Sequence, residues 1–223
     1  NAENRFTGWV DVDLSNKGVK EAEKSGELIK ELKIKIDVSY TSYLKRAIKT
    51  LTTILKINNL ELKFNTAWQL NERHYGSLTG LNKEETKKKI GEEQFKKYRR
   101  SWDIAPPPMN AESEYQALFS PLNSSIPVGM TPFTESLKDT YDRVVPFFEN
   151  EIKKNLLENR NILISAHGNS LRALCKYLFN ISDGKINQLE IPTGNPLVIE
   201  LDNKLKINKS FYLDKVRAKE IVI

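Results

Sequence analysis

The chain has 223 residues, of which 39% are hydrophobic and 9% aromatic, enough to build a sizeable core and to exclude wholesale disorder. Its 35 Lys+Arg against 29 Asp+Glu leave a net charge of +6, yet the longest basic run, Lys87-Lys88-Lys89, has Glu84 and Glu85 just before it. This lysine-rich surface lacks the clustered basic and aromatic residues of a nucleic-acid binder, so a nucleic-acid partner is not expected. No apolar run approaches the ~18 residues of a membrane span, and the start carries no secretory signal. Cys175 is the only cysteine, leaving no intrachain disulfide and no cysteine metal cluster. A cytoplasmic globular protein is expected.

In chain order, apolar residues near helical spacing from Val19 to Leu32 predict a first helix, with Ser15 as its cap. Ile36–Tyr40 reads as a short strand running into Thr41-Ser42, and a second helix covers about Tyr43 to Leu55. Residues 65–82 read as irregular and 84–102 as one charged helix, stopped by Pro106-Pro107-Pro108. A long loop reaches Pro132, and its length suggests a lid over Asn110–Met130. Thr134–Leu137 opens an amphipathic helix to about Ile152. Asn161–Ala166 is continuously apolar, as a parallel strand covered on both faces should be, and it feeds His167-Gly168-Asn169 and a helix over Ser170–Leu178. Leu197–Leu201 is a further strand. Strands alternating with helices predict one α/β domain over residues 1–223: three layers, a mainly parallel sheet flanked by helices.

Ligands of open α/β sheets bind beyond the carboxyl ends of the strands. His167 is delivered to that edge. Gly168 would permit close backbone approach, and the following helix N-terminus offers free N–H groups to an anion, for which phosphate is the natural choice. Thr41, Ser42 and Arg46 repeat the theme at a second strand-to-helix junction. Arg99-Arg100 supplies paired forks suited to phosphate or carboxylate. Asn71-Glu72-Arg73-His74-Tyr75-Gly76 concentrates polar groups, among which a buried carboxylate could serve as general acid or base.

These residues carry a resemblance. Asn4–Trp9, Tyr40–Ile48, Leu70–Gly76, Gly80–Lys83, Arg99–Trp102, Glu135–Asp139, Ala166–Arg172 and Pro192–Gly194 match, in order, the cofactor-dependent phosphoglycerate mutases of the histidine phosphatase superfamily. The resemblance implies a phosphoglycerate mutase-like fold. It implies interconversion of 3-phosphoglycerate and 2-phosphoglycerate through a phosphohistidine, primed by 2,3-bisphosphoglycerate, without a metal, in a homodimer or homotetramer. By the same resemblance Arg46 grips the phosphoryl group, His167 stabilises its oxygens, and Glu72 is acid and base on the substrate hydroxyls. Thr7, Gly8, Tyr75, Lys83, Arg99, Arg100, Gly168 and Asn169 hold the phosphates and carboxylate, while His74 is structural.

The resemblance also places the nucleophilic histidine in an Arg-His-Gly segment upstream of Asn1, on a strand beside Asn161–Ala166. The histidines here are His74 and His167 alone, and the chain starts without Met, so the expectation is that residues precede it. A sheet lacking that strand would leave backbone groups unpaired at about 1–3 kcal/mol each. The longer basic tail of some members is expected to be missing or replaced, since eleven residues follow Tyr212. The alternatives are a bisphosphoglycerate synthase or phosphatase of the same fold, or a non-catalytic binder of phosphorylated acids.

Overall fold

A computed structural model describes residues 3–110, 112–115 and 126–220. Ser15 caps α1 (Asn16–Glu31) as expected, accepting the Gly18 N–H at 3.2 Å, and the helix starts three residues before Val19. Strand β1 (Val38–Thr41) takes in Thr41 and begins two residues after the expected start at Ile36. Helix α2 (Lys45–Ile57) starts later than Tyr43 because side chains hold the preceding amides outside it. Tyr43 N–H donates to Asn71 Oδ1 and Leu44 N–H to Ser42 Oγ, at 3.0 and 3.1 Å. After β2 (Asn65–Thr66), the irregular stretch holds two 3-10 turns, Trp68–Leu70 and Gly76–Leu78.

The helix expected over 84–102 is instead two, α3 (Lys83–Ile90) and α4 (Glu92–Arg100). Gly91 separates them at φ 81°, ψ 157°, a region essentially reserved for glycine. The expected stop at the prolines is corrected as well: Ser101 leaves the helical region at φ −64°, ψ 157°. The loop expected as a lid includes residues 111 and 116–125, which lie outside the described residues.

Ser136 starts α5 (Leu137–Phe147) through a capping box, accepting from Asp139 N–H while its own N–H donates to Asp139. Pro146 removes a helical donor near its end, and the chain widens into a π turn, Phe148–Ile152, before α6 (Lys153–Leu157). Strand β3 (Ile162–Ser165) leads to α7 (Gly168–Leu178), two residues earlier than Ser170. β4 (Leu197–Leu201) falls where expected, and β5 (Ile207–Tyr212) was not expected, because Ile-Asn-Lys-Ser-Phe-Tyr lacks a strand-like alternation.

Among the described residues, the sheet has strand order β2-β1-β3 with all pairs parallel, and β4 and β5 form a separate antiparallel hairpin. The pleat sends alternate side chains to opposite faces. Val38, Tyr40, Ile162 and Ile164 enter the main core with Leu137, Val144 and Phe148 of the α5 arm and Ala173 and Leu174 of α7. Ser165 points the other way and donates to Ala47 O of α2 at 3.1 Å. Helix α1 packs outside α2, where Gly26 permits the approach: an added Cβ would sit 2.8 Å from Ile57 Cδ1 and 3.3 Å from Ile54 Cα. No described helix is long and apolar enough to cross a membrane.

Candidate active site

The carboxyl ends of β1 and β3 point at one place. Beyond β3, His167 is 7% exposed and its Nε2 lies 2.7 Å from Ser42 Oγ, which follows β1. Thr41 is used structurally, its hydroxyl donating to Ser165 O at 2.8 Å. Arg46, in the first turn of α2, donates to Gly8 O at 2.7 Å and Val10 O at 2.9 Å. Burial holds the His167 imidazole well below its ordinary value, and the nearby Arg46 and Arg143 cations push the same way. His167 is therefore a neutral ring at neutral pH.

In front of this pair lies a cleft of about 240 Å³. Thr7, Glu72, Tyr75, Lys83, Arg99, Arg100, Gly168 and Asn169, eight of the residues singled out above, line it together. Gly8, Arg46 and His167 are not among its lining residues, although Thr7 and Gly168, next to Gly8 and His167 in the chain, are. Gly8 has φ +48°, and a Cβ there would meet Arg73 O at 3.0 Å, so the glycine lets the N-terminal segment lie against residues 73–75. At Gly168 an added Cβ would sit 3.9 Å from Glu72 Oε2, an ordinary contact, so no neighbouring protein atom demands a glycine there.

Several segments converge to build the cleft. Residues 4–6 run antiparallel to 80–83 through Phe6 N–H to Leu81 O (3.0 Å), Gly80 N–H to Phe6 O (2.7 Å) and Lys83 N–H to Asn4 O (2.8 Å), which ties the segment leading into Thr7 to the start of α3 at Lys83. Helix α4 carries Arg99 and Arg100 at its end. The buried Arg73 holds that end by donating to Tyr98 O and Arg99 O at 3.0 and 3.3 Å. An aromatic floor of Phe6, Tyr75 and Phe95 supports the cations: Lys83 lies 5.8 Å from the Phe6 ring centre and Arg99 5.3 Å from that of Phe95. Glu72 Oε1 accepts from Asn169 N–H at the start of α7, at 3.2 Å, and from Arg73 N–H at 2.7 Å. Asn169 Nδ2 donates to Tyr75 OH at 3.0 Å.

Arg5 and Arg172 also line the cleft, and neither stood out as a site residue in the sequence. Arg172 donates to Asn169 Oδ1 at 2.6 Å and so orients that amide toward Tyr75. Its place one turn after Asn169, on the same helix face, was the available signal. Among the described residues the cleft thus gathers five cations, Arg5, Lys83, Arg99, Arg100 and Arg172, against the single carboxylate of Glu72. Burial lowers the affinity of Lys83 and Arg99 for their protons, and Arg99 presses further on Lys83. Arg172 is pushed down to about 10 by burial, with Arg100 adding to the effect. Crowded, partly desolvated cations are a binding site for a small polyanion.

His74 stands apart. It is fully buried, its Nδ1 accepts from Gly76 N–H at 3.0 Å, and burial together with Arg143 pushes it down to about 4. A larger, open depression of about 360 Å³, lined by Ser210–Tyr212, Lys215, Ala218 and Lys219, offers no carboxylate or imidazole.

An α/β sheet that presents a buried histidine, an arginine and a cationic cleft at its carboxyl edge is the architecture of a phosphate-handling enzyme. Comparison with known proteins gives the class its name. Residues 1–211 match the model of the histidine phosphatase superfamily (branch 1), and the chain belongs to that superfamily. It is 55% identical over 223 residues to the 2,3-bisphosphoglycerate-dependent phosphoglycerate mutase of Pelagibacter ubique (strain HTCC1062), covering 100% of this chain and 94% of that one. It is 50% identical over 220 residues to phosphoglycerate mutase 1 of Saccharomyces cerevisiae, covering 98% and 89%. Among solved structures it resembles a mycobacterial glucosyl-3-phosphoglycerate phosphatase with VO3, at TM-score 0.69 and 18% identity over 95% of this chain and 90% of that one. Bacillus stearothermophilus YhfR matches at TM-score 0.68 and 18% identity over 93% and 88%. At that identity the two structures establish the fold alone.

Proposed function

We propose that the protein interconverts 3-phosphoglycerate and 2-phosphoglycerate, the phosphoglycerate mutase step of glycolysis and gluconeogenesis. One observation carries the reading: five cations and a helix N-terminus surround one carboxylate in a cleft whose chain is 55% identical to a named mutase. The substrates bring a phosphate of about −1.5 to −2 and a carboxylate, and this donor set matches that load. The same donors fit 2,3-bisphosphoglycerate, which when bound supplies the priming phosphoryl group.

In this reading Lys83, Arg99 and Arg100 hold the anionic groups, with Thr7, Tyr75, Gly168 and Asn169 fixing their orientation. Glu72, whose carboxylate accepts from the first turn of α7, moves the proton of the substrate hydroxyl. Arg46 and the neutral His167 meet the transferring oxygens, Arg46 with fixed charge and His167 through its ring N–H. Gly8 acts by accepting from Arg46 and so aiming it. The role of phosphoryl acceptor is given to neither His74, which is buried away from the cleft, nor His167, which meets the transferring oxygens.

The test is an assay of the protein made from its native gene, with peptide mapping of the product. Isomerisation that depends on 2,3-bisphosphoglycerate and resists chelators is expected, together with an Arg-His-Gly peptide. Hydrolysis of 3-phosphoglycerate faster than its isomerisation, or activity lost to EDTA, would overturn the reading.

A further inference from the structure

Glu72 sits in a stretch, residues 71–75, that is neither helix nor strand. Its own backbone ladder cannot place it, so contacts from elsewhere must. They come from α5. The Arg143 guanidinium has five N–H donors in a rigid fork, and each has an acceptor. Nε donates to Glu135 Oε1 at 2.6 Å and Nη2 to Glu135 Oε2 at 2.9 Å. Nη1 donates to Gln69 O and to Asn71 O, the latter at 3.1 Å, and Nη2 also donates to Glu72 O at 3.0 Å. Glu135 closes the grip from the other side: its Oε2 accepts from His74 N–H at 2.7 Å, and its own N–H donates to His74 O at 2.9 Å. The two side chains are 8% and 4% exposed.

We infer that Arg143, held by Glu135, is a positioning residue for the reaction: it grips the backbone on both sides of Glu72 and thereby sets where that carboxylate meets the substrate. The alternative is a purely structural ion pair that any well-packed pair could replace. The geometry speaks against it, because three of the five donors go to the carbonyls of residues 69, 71 and 72 rather than to the carboxylate. Arg143 touches no substrate position. A displacement of about 1 Å in an acid–base group can cost about 100-fold in rate, and lysine, with three donors and no fork, cannot reproduce the grip.

The inference rests on the mutase reading, and a double-mutant cycle with Glu72 separates the two. Arg143→Lys and Glu72→Gln are made singly and together in the full protein, and kcat and KM are measured per calorimetrically counted 2,3-bisphosphoglycerate site. Arg143→Lys is expected to lower kcat about 10- to 100-fold with KM within about threefold, since Lys83, Arg99 and Arg100 lie on other segments. In the Glu72→Gln background the same change should cost less than about threefold. Equal losses in both backgrounds, or a loss confined to KM, would overturn the inference while leaving the mutase reading intact. An inactive wild type would sink that reading and the inference with it. If Arg143→Lys does not fold, Glu135→Gln takes its place in the cycle with the same expectations.

Discussion

His74 and His167 are both buried, and both are held in the neutral form. A histidine whose folded pKa lies below its unfolded value of about 6.5 contributes full stability above that pH. As the pH falls the unfolded chain binds the proton first, so stability drains away between about 6.5 and the folded value. For His74, with a folded value of about 4, the loss is on the order of 3 kcal/mol by pH 4. His74→Gln keeps an acceptor for Gly76 N–H and should flatten the fall in urea midpoint between pH 7 and pH 5. An unchanged slope would show that other groups drive acid unfolding. At the same scale, Glu72→Gln should lower kcat about 10²- to 10⁴-fold with KM nearly unchanged. Arg99→Gln should instead raise KM about 10-fold, the value of one charge-assisted hydrogen bond. Steady-state kinetics that reversed these two signatures would exchange the roles given to the residues. His167, Glu72 and the Arg99-Arg100 pair were legible from the sequence because they stand in short local motifs. Arg5 and Arg143 were not, since an arginine in a polar segment or on a helix face is ordinary until its partners are known.

At the scale of elements, helix starts followed side-chain chemistry closely, and helix ends and turns did not. Ser15 and Ser136 are caps whose partners lie within three residues, and of the two Ser15 is read as a cap from the sequence. Ser136→Ala breaks the α5 capping box and should cost about 1 kcal/mol. In a chain of this size that is about 2–4 °C in Tm by calorimetry, and a shift under 1 °C would mean the box is dispensable. The break at Gly91 and the late start of α2 were hidden for different reasons. Gly91 lies between two helical patterns, and a lone glycine within a charged helix is often tolerated. The amides of Tyr43 and Leu44 are held by Asn71 and Ser42, and the first of these bonds crosses 28 residues. Strand β5 was missed because β4 stabilises it, pairing Leu197 with Tyr212 and Val198 with Phe211, while its own residues show little preference.

Over the whole molecule the charge is unevenly spent. Of a net +6, the cleft alone concentrates five cations and one carboxylate. A bound polyanion should therefore stabilise the fold: 2,3-bisphosphoglycerate at 100 times its Kd contributes about 2.7 kcal/mol, or about 5–10 °C in Tm. The gain should shrink as salt is raised from 50 to 300 mM, because ions screen the cleft. A salt-independent gain, or none, would place the anion elsewhere. By itself the sequence determined the α/β alternation, the Ser15 cap, and the local motifs that hold His167, Glu72 and the paired arginines. Each of these depends on residues within one or two turns of one another. Only the tertiary structure decided that Thr7, Glu72, Lys83, Arg99 and Asn169 share one cleft, and that Arg143 grips the loop bearing Glu72. Those arrangements hang on hydrogen bonds between residues 71 to 97 positions apart, such as Arg143 to Glu72 and Asn169 to Glu72. Their formation depends on how the chain packs, which local preference does not encode.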